Sequence, residues 1–443
     1  MQSTATKIIL LGGGYVSVWA YRSLAKQLRT QLRNGQVEIT VICPNTHHAF
    51  HGWTAETLTG ILQEQNQVSP LADIMPYAQH IQGQAIAVDL KTKTVKVKMT
   101  AGLVEKQLPY DHLLLGIGSF DSENIDGISQ YGYQIKAHQA FQRTKEAIPA
   151  LVWQAAQAAS EAQELLTFTV AGGGFTGVEI ACNLVEYVTI LKNMYPSLHQ
   201  IQPRVRLVHR GERVLPVLQA DYNYLVKYAE KIMSQYGIDV INNTGLTRLT
   251  SEGAFLSNGS FLPSSMVIST VGQSRFQLPG TERMTRDSVE RIYTNRYQQI
   301  PGYTDVWGGG DACNVTHHQT GEACPANALW AIKHGEYVGR NIARAIQGKA
   351  LKPFTYRGLG QSASLGMGKG ITELYGLQFT GVIAWLMRWF FFNYFMPSRR
   401  VMLRGIGDWL SLTFTRRRKG LITTSGEQES ASNSVSYVIA SSR

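Results

Sequence analysis

Cysteine is scarce in this chain: Cys43, Cys182, Cys313 and Cys324 are the four among 443 residues. No two are spaced C-x-x-C, which excludes an adjacent redox dithiol, and so low a count suits a reducing, cytosol-facing compartment. Cys313 and Cys324 could meet in space, but two buried or unpaired thiols are the preferred reading. No cleavable apolar leader is visible, because the N-terminus runs almost at once into KIILLGGG. Zinc-type Cys/His spacing is missing as well. The histidines cluster as His47, His48 and His51, and as His317 and His318. Adjacent imidazoles point apart, so no metal is expected and the rings suit the lining of a pocket. Acidic residues are the minority charge, 31 against 42 Lys and Arg, for a formal charge of +11. Much of the excess lies near the C-terminus with no nucleic-acid motif beside it. A membrane surface is the expected partner, and nucleic acid is not.

What the chain does have is two strand–turn–helix units. KIILL (7–11) is an apolar run of the buried parallel-strand kind. Gly12, Gly13 and Gly14 follow, then a helical stretch from about Val16 to Leu32, then VEITVI (37–42). The first glycine permits a tight turn, and Gly14 lets backbone approach a pyrophosphate. The helix N-terminus offers that anion unpaired N–H groups. Ser17 stands where a third glycine is usual and is small enough for helix–strand packing. The pattern recurs about 160 residues later: LLTFTV (165–170), a turn with Gly172, Gly174 and Gly177 in full G-x-G-x-x-G spacing, a helix, and VRLV (205–208). Two such units in one chain suggest an electron relay between a resident flavin and a diffusible nicotinamide. KTKTVKVKM (91–99) alternates like a small antiparallel sheet, and YDHLLLGIGS, SSMVISTVG and DVWGGGDAC each read as a strand ending in glycines.

Taken together, GGGFTGVE (172–179), YDHLLLGIGS, RVLP (213–216), VWGGGDAC, GEYVGRNIARAIQGK (335–349), ASLGMGKGITELYGLQFTGVIAWLMRWFFF (363–392) and SRRVMLRGIGDWLSLTFTRRRKGLIT (398–423) resemble the type II NADH:quinone dehydrogenases. These are flavoproteins with two dinucleotide-binding domains. The resemblance runs from about Lys7 to Thr424. It implies an α/β fold of two Rossmann-like domains plus a C-terminal amphipathic membrane-binding segment. The expected division is residues 1–135 and 285–355 for a discontinuous FAD domain, 160–284 for the NAD(P)H domain, 356–424 for the membrane segment and 425–443 for a flexible tail. It implies FAD as cofactor, NADH or NADPH as diffusible substrate and a quinone as acceptor, without proton pumping. It also implies a peripheral position on the cytoplasmic face of the membrane; a homodimer is left open. By the same resemblance Gly12, Gly13, Gly14 and the adjoining Tyr15 hold the FAD pyrophosphate, Gly118 passes close to the FAD, and Asp311 bonds its ribityl or pyrophosphate region. Gly172, Gly174, Gly177 and Gly272 form the nicotinamide site, and Glu179 lies near both rings.

Three positions depart from the family pattern. An acidic residue usually ends each second strand; here Cys43 stands in the first place, leaving Asn45 to reach the ribose. His209 with Arg210 stands in the second, a cationic pair expected to attract a 2′-phosphate and to shift the donor toward NADPH. In PANALWAIKHG (325–335) Ala328 is kept, but Leu329 and Lys333 replace the glutamines expected beside the flavin. Lys333 is the candidate to stabilise negative charge on a reduced flavin or quinol oxygen. Two further readings remain open: the same fold with another donor or acceptor, such as a sulfide:quinone reductase, and a non-catalytic membrane-associated nucleotide sensor.

Residues 374–396 contain one charge, Arg388, in 23 positions with a dense aromatic band. A helix of that length is long enough to span a bilayer. The aromatics and the arginines that follow point instead to a helix pair lying in the interface, with residues 374–419 on the membrane surface.

Overall fold

The computed structural model describes residues 5–102 and 104–415. The serine-rich tail and the basic run from Arg416 to Lys419 lie outside the described residues.

The apolar strand Thr6–Leu11 has Ile8, Ile9, Leu10 and Leu11 buried, so it can only sit inside a sheet covered on both faces. It lies mid-sheet in a seven-stranded order: Val306–Gly308, His112–Leu115, Thr6–Leu11, Val37–Cys43, Ala78–Asp89, Thr94–Met99 and Glu105–Pro109. The first five run parallel, and the last two are antiparallel. The alternation in KTKTVKVKM is real: Val95 and Val97 are buried while Lys96 and Lys98 are exposed. Its strand does not form a separate sheet, however. Ala78–Asp89 is long enough to pair in parallel with Val37–Cys43 at one end and antiparallel with Thr94–Met99 at the other.

A second, four-stranded parallel sheet has the order Asp239–Ile241, Arg204–Val208, Thr167–Ala171 and Met266–Ser269. The chain then returns to the first sheet through Val306–Gly308 and lays the helix Ala328–Ile346 across Tyr15–Gln27. That crossing is close because of two glycines. A Cβ on Gly335 would stand 2.4 Å from the Val16 carbonyl oxygen, and one on Gly339 2.4 Å from that of Ala20. The expected helix from Val16 to Leu32 breaks at Leu28 into Tyr15–Gln27 and Arg29–Arg33.

The C-terminal part corrects one expectation. Residues 374–396 do not form a single helix. Gly370–Leu374 and Leu377–Thr380 are strands of a three-stranded antiparallel sheet with Gly360–Ser364. Only Gly381–Phe395 is helical, 15 residues, followed by Arg399–Thr415. Fifteen residues reach about 22 Å, short of the roughly 30 Å hydrocarbon core. Among the described residues no helix is long and apolar enough to cross a membrane. Half of the aromatic band also turns inward: Trp385, Trp389, Phe392 and Phe395 pack with Phe50, Trp53 and Trp409. Asp408, the lone acid among the C-terminal arginines, is buried and accepts from the Gln63 N–H at 2.9 Å and Asn66 Nδ2 at 2.6 Å.

Candidate functional site

Both glycine turns have the same construction. Gly12 has φ +91°, and a Cβ there would stand 2.5 Å from the Gly116 carbonyl oxygen. Gly172 has φ +115° and a Cβ there would meet Thr270 at 2.4 Å, while one on Gly177 would lie 1.8 Å from the Gly172 oxygen. These glycines are sterically obligatory. Gly14 and Gly174 are different. Each caps its helix without a side-chain hydrogen bond, and a Cβ on either would meet no atom within 4 Å. The space above each helix N-terminus is therefore open, with first-turn N–H groups available to an anion. Ser17 donates to the Leu11 carbonyl at 3.3 Å, and Gly116 leaves room for it. The small residue in the third glycine position is thus accommodated.

The strand tips are less alike. Cys43 is buried with its sulfur beneath Gly13, and burial pushes its thiol up. Asn45 is exposed, so it remains available at the first tip. At the second, the expected cationic pair is not one. The His209 ring lies under Gly173 and its Nδ1 accepts from the Gly173 N–H at 3.2 Å, which requires the neutral imidazole. Burial lowers its pKa in the same sense. Arg210 alone carries charge there; it is exposed, with its side chain over Gly245.

Around the first turn a polar group assembles in which Ser119 and Lys136 are the members that sequence reasoning missed. Asp311, in the turn after Val306–Gly308, accepts from Ser119 Oγ at 2.7 Å. Lys136 donates to that same Ser119 oxygen and stands 3.5 Å from Asp311 Oδ2. Gly118, with φ +66° and open space beside it, precedes Ser119. His48 is buried and bonds the Gly13 carbonyl at 3.0 Å through Nδ1, which leaves Nε2 a buried acceptor without a protein hydrogen bond among the described residues. Burial lowers its pKa to about 4, so the ring is neutral. Its ring and that of Tyr15 are nearly perpendicular, with centroids 4.8 Å apart. The helix Ala328–Ile346 is capped by Asn327, whose Oδ1 accepts from the Trp330 N–H at 3.1 Å. Ala328 and Leu329 sit half-buried in its first turn, at the positive end of the helix dipole. Gly272 has φ +75° and abuts Ser122.

Glu179 is held by groups from the C-terminal segment. Its Oε1 accepts from Arg388 Nη2 at 2.8 Å and from the Ser364 N–H at 2.9 Å. The other arm of Arg388 binds Glu56, and Nη2 also reaches the Gly52 carbonyl at 2.9 Å. Arg388 and Glu56 are essentially fully buried. Burial pushes the Glu179 carboxyl up to about 7; Arg388 pulls it down and the Glu56 charge pushes it up again. Two carboxylates sharing one guanidinium favour retention of a proton. Lys333 lies on the outer face of its helix, bonds Glu336 at 3.1 Å and approaches the Tyr356 and Phe395 rings. All four cysteines are free and buried; burial raises the thiols of Cys313 and Cys324 to about 12 and that of Cys182 further.

Parallel strands that end in obligatory glycines and open onto uncapped helices, twice in one chain, define a protein that handles dinucleotides. The chain belongs to the pyridine nucleotide-disulphide oxidoreductase family, whose profile matches residues 6–335. It is similar to the type II NADH:quinone oxidoreductase of Staphylococcus haemolyticus, 25% identical over 88% of this chain and 94% of the relative. It is also similar to that of Mycobacterium tuberculosis, 24% identical over 95% and 91%. The demethylphylloquinone reductase of Synechocystis is 23% identical over 93% and 99%. The fold matches NDH2 from Plasmodium falciparum, solved in complex with NADH, with a TM-score of 0.82 at 13% identity over 94% of this chain and 99% of that one.

Proposed function

We propose that the protein is an FAD-dependent NAD(P)H dehydrogenase that delivers electrons to a quinone at a membrane surface without pumping protons. The observation that carries this reading is the pair of open glycine caps at Gly14 and Gly174, each above a helix N-terminus that lacks a side-chain cap. The first turn suits FAD: Gly12, Gly13, Gly14 and Tyr15 would cradle its pyrophosphate, Gly118 and Asp311 would lie along it, and the unpartnered Nε2 of His48 fits a nearby polar group. Asn45 beside Cys43 would serve the ribose, and Ala328 and Leu329 would bring the helix dipole to the ring. The second turn suits the nicotinamide nucleotide through Gly172, Gly174, Gly177 and Gly272, with His209 beneath the turn and Arg210 beside a 2′-phosphate. FAD, when bound, supplies the redox chemistry, accepting hydride from reduced nicotinamide and giving electrons to the quinone. Glu179, with a pKa near neutrality, is the residue able to hold or release a proton, and Lys333 the one able to oppose negative charge. The relatives named as quinone reductases support the acceptor. Four buried, free thiols speak against a sulfide-oxidising variant of the fold.

The same reading divides the chain into an FAD domain (1–135 and 285–355), an NAD(P)H domain (160–284) and a C-terminal segment from 356 that docks on the cytoplasmic face of the membrane. Val382, Ile383, Leu386, Phe390 and Tyr394 form an exposed apolar ridge at helical spacing, and Leu403 and Leu410 are likewise exposed on the helix that follows. Such a face suits lipid, and a homodimer contact is its second use. The deciding experiment is stopped-flow mixing of the purified yellow protein with NADH or NADPH, followed by a quinone. Flavin bleaching and then reoxidation supports the proposal. Bleaching without reoxidation removes the quinone, and a protein that neither carries nor takes up FAD ends the proposal.

A further inference from the structure

A cavity of 1030 Å³ opens between the outer faces of Tyr15–Gln27 and Ala328–Ile346 and the turn that joins the two C-terminal helices. The close crossing at Gly335 and Gly339 brings the two outer faces together. The walls carry five cations, Arg22, Lys26, Lys333, Arg340 and Arg399, against one carboxylate, Glu336. Glu336 is already shared by Lys333 and Arg340. Arg22, Lys26 and Arg399 are exposed and form no ion pair among the described residues. Arg399 also begins the helix Arg399–Thr415, which has no acid in its first turn, so the dipole adds to the positive field at this end. The uncharged polar residues of the wall are Ser23 and Gln27, and Tyr394, Phe395, Met396 and Met402 form an apolar side. Tyr394 is 70% exposed and belongs to the apolar ridge through Phe390 and Leu386.

A cationic recess that runs directly into an unpartnered apolar strip fits an amphipathic anion. We propose that this cleft binds the phosphate of an anionic phospholipid headgroup, with the acyl chains leaving along Tyr394 and the ridge beside it. This inference rests on the membrane-docking reading and adds to it a defined lipid site at Arg22, Lys26 and Arg399. It differs from diffuse attraction because the charge is set in a recess and joined to an apolar exit.

The test is co-sedimentation of the FAD-loaded full chain with phosphatidylcholine vesicles, with and without phosphatidylglycerol, at fixed ionic strength. Wild type is expected to prefer the anionic vesicles. Arg22→Gln/Lys26→Gln is expected to lose about tenfold or more of that preference while keeping its binding to phosphatidylcholine and its flavin spectrum. Arg29→Gln/Arg33→Gln removes the same charge from the neighbouring helix outside the cleft and is expected to lose much less. Equal losses in the two double variants overturn the site in favour of diffuse charge. Wild type binding both vesicles alike overturns the headgroup and leaves membrane docking standing, whereas binding to neither removes the docking reading itself. Inorganic phosphate that protects wild type against thermal unfolding, with no vesicle preference, identifies a free-anion site and also overturns the lipid.

Discussion

Arg388, from the helix Gly381–Phe395, bonds Glu179 of the second glycine unit at 2.8 Å while its other arm holds Glu56 of the first. One buried guanidinium thereby fastens the C-terminal segment to both nucleotide-binding units. Burial makes the arrangement sensitive to loss of a partner, because an unpaired charge would be left without water. Arg388→Leu is expected to destabilise the protein by about 3–5 kcal/mol, measured by urea unfolding with FAD bound, since two carboxylates remain facing each other. Arg388→Leu/Glu179→Gln/Glu56→Gln should recover most of that loss. If the triple variant is no more stable than the single one, packing rather than charge is what Arg388 supplies.

The same cluster sets a pH dependence with a definite sign. The Glu179 carboxyl is raised in the folded state to about 7 from an ordinary 4.5. Between those values the folded protein keeps a proton that the unfolded chain has lost. Stability therefore falls as pH rises through the window, by up to about 1.4 kcal/mol per pH unit, and levels off above it. Glu179→Gln should flatten this slope in a thermal-unfolding series from pH 4.5 to 7. An unchanged slope would assign the proton to another group.

The glycine units were legible in the sequence because backbone geometry restricts the residue type. Gly12, Gly172 and Gly177 have no room for a side chain, and that requirement is visible without coordinates. His209 was not legible in the same way. Its position was evident, but the direction of its ring was not, and that direction makes it neutral. Arg388 stood as a stray charge in an apolar run because Glu56 is 332 residues away in the chain. The hairpin in that run left only Gly376 as a signal, because Tyr375 also adopts positive φ, which a bulky side chain does not announce. Lys136 had no motif around it, and only the fold brings it to Asp311.

Two glycine substitutions separate the turn from the cofactor. Gly177→Ala puts a methyl 1.8 Å from the Gly172 oxygen and should destabilise the second unit, with loss of NADH oxidation and of folded protein together. Gly14→Ala places its methyl in open space. It should leave the thermal stability of the FAD-free protein within about 0.5 kcal/mol of wild type but weaken FAD retention, read from the ratio of flavin to protein absorbance. Normal flavin content in Gly14→Ala would move the pyrophosphate away from this turn.

The expected shift toward NADPH now rests on Arg210 alone. A single exposed guanidinium opposite a 2′-phosphate is worth roughly 1–2 kcal/mol. Arg210→Ala should therefore lower kcat/KM for NADPH by about tenfold and leave that for NADH nearly unchanged. His209→Glu should favour NADH by restoring a ribose acceptor, although it also releases the Gly173 N–H. Equal effects of Arg210→Ala on both donors would show that Arg210 does not read the phosphate.

Membrane attachment is best tested by substitution rather than truncation. Removing the chain from residue 374 would also remove Arg388 and strand Glu56 and Glu179 without their partner. Ile383, Leu386 and Phe390 are each at least half exposed and lie clear of that cluster. Burying each in lipid stabilises attachment by on the order of 1.5–3 kcal/mol. Ile383→Gln/Leu386→Gln/Phe390→Gln should therefore move the protein from the membrane pellet to the supernatant, with flavin reduction by NADH and turnover of a water-soluble quinone analogue retained. Light scattering on the same samples resolves the alternative use of the face. A wild-type dimer that becomes a monomer in the variant, with both proteins still pelleting, would assign the ridge to a subunit contact. Anchoring would then have to lie elsewhere on the chain.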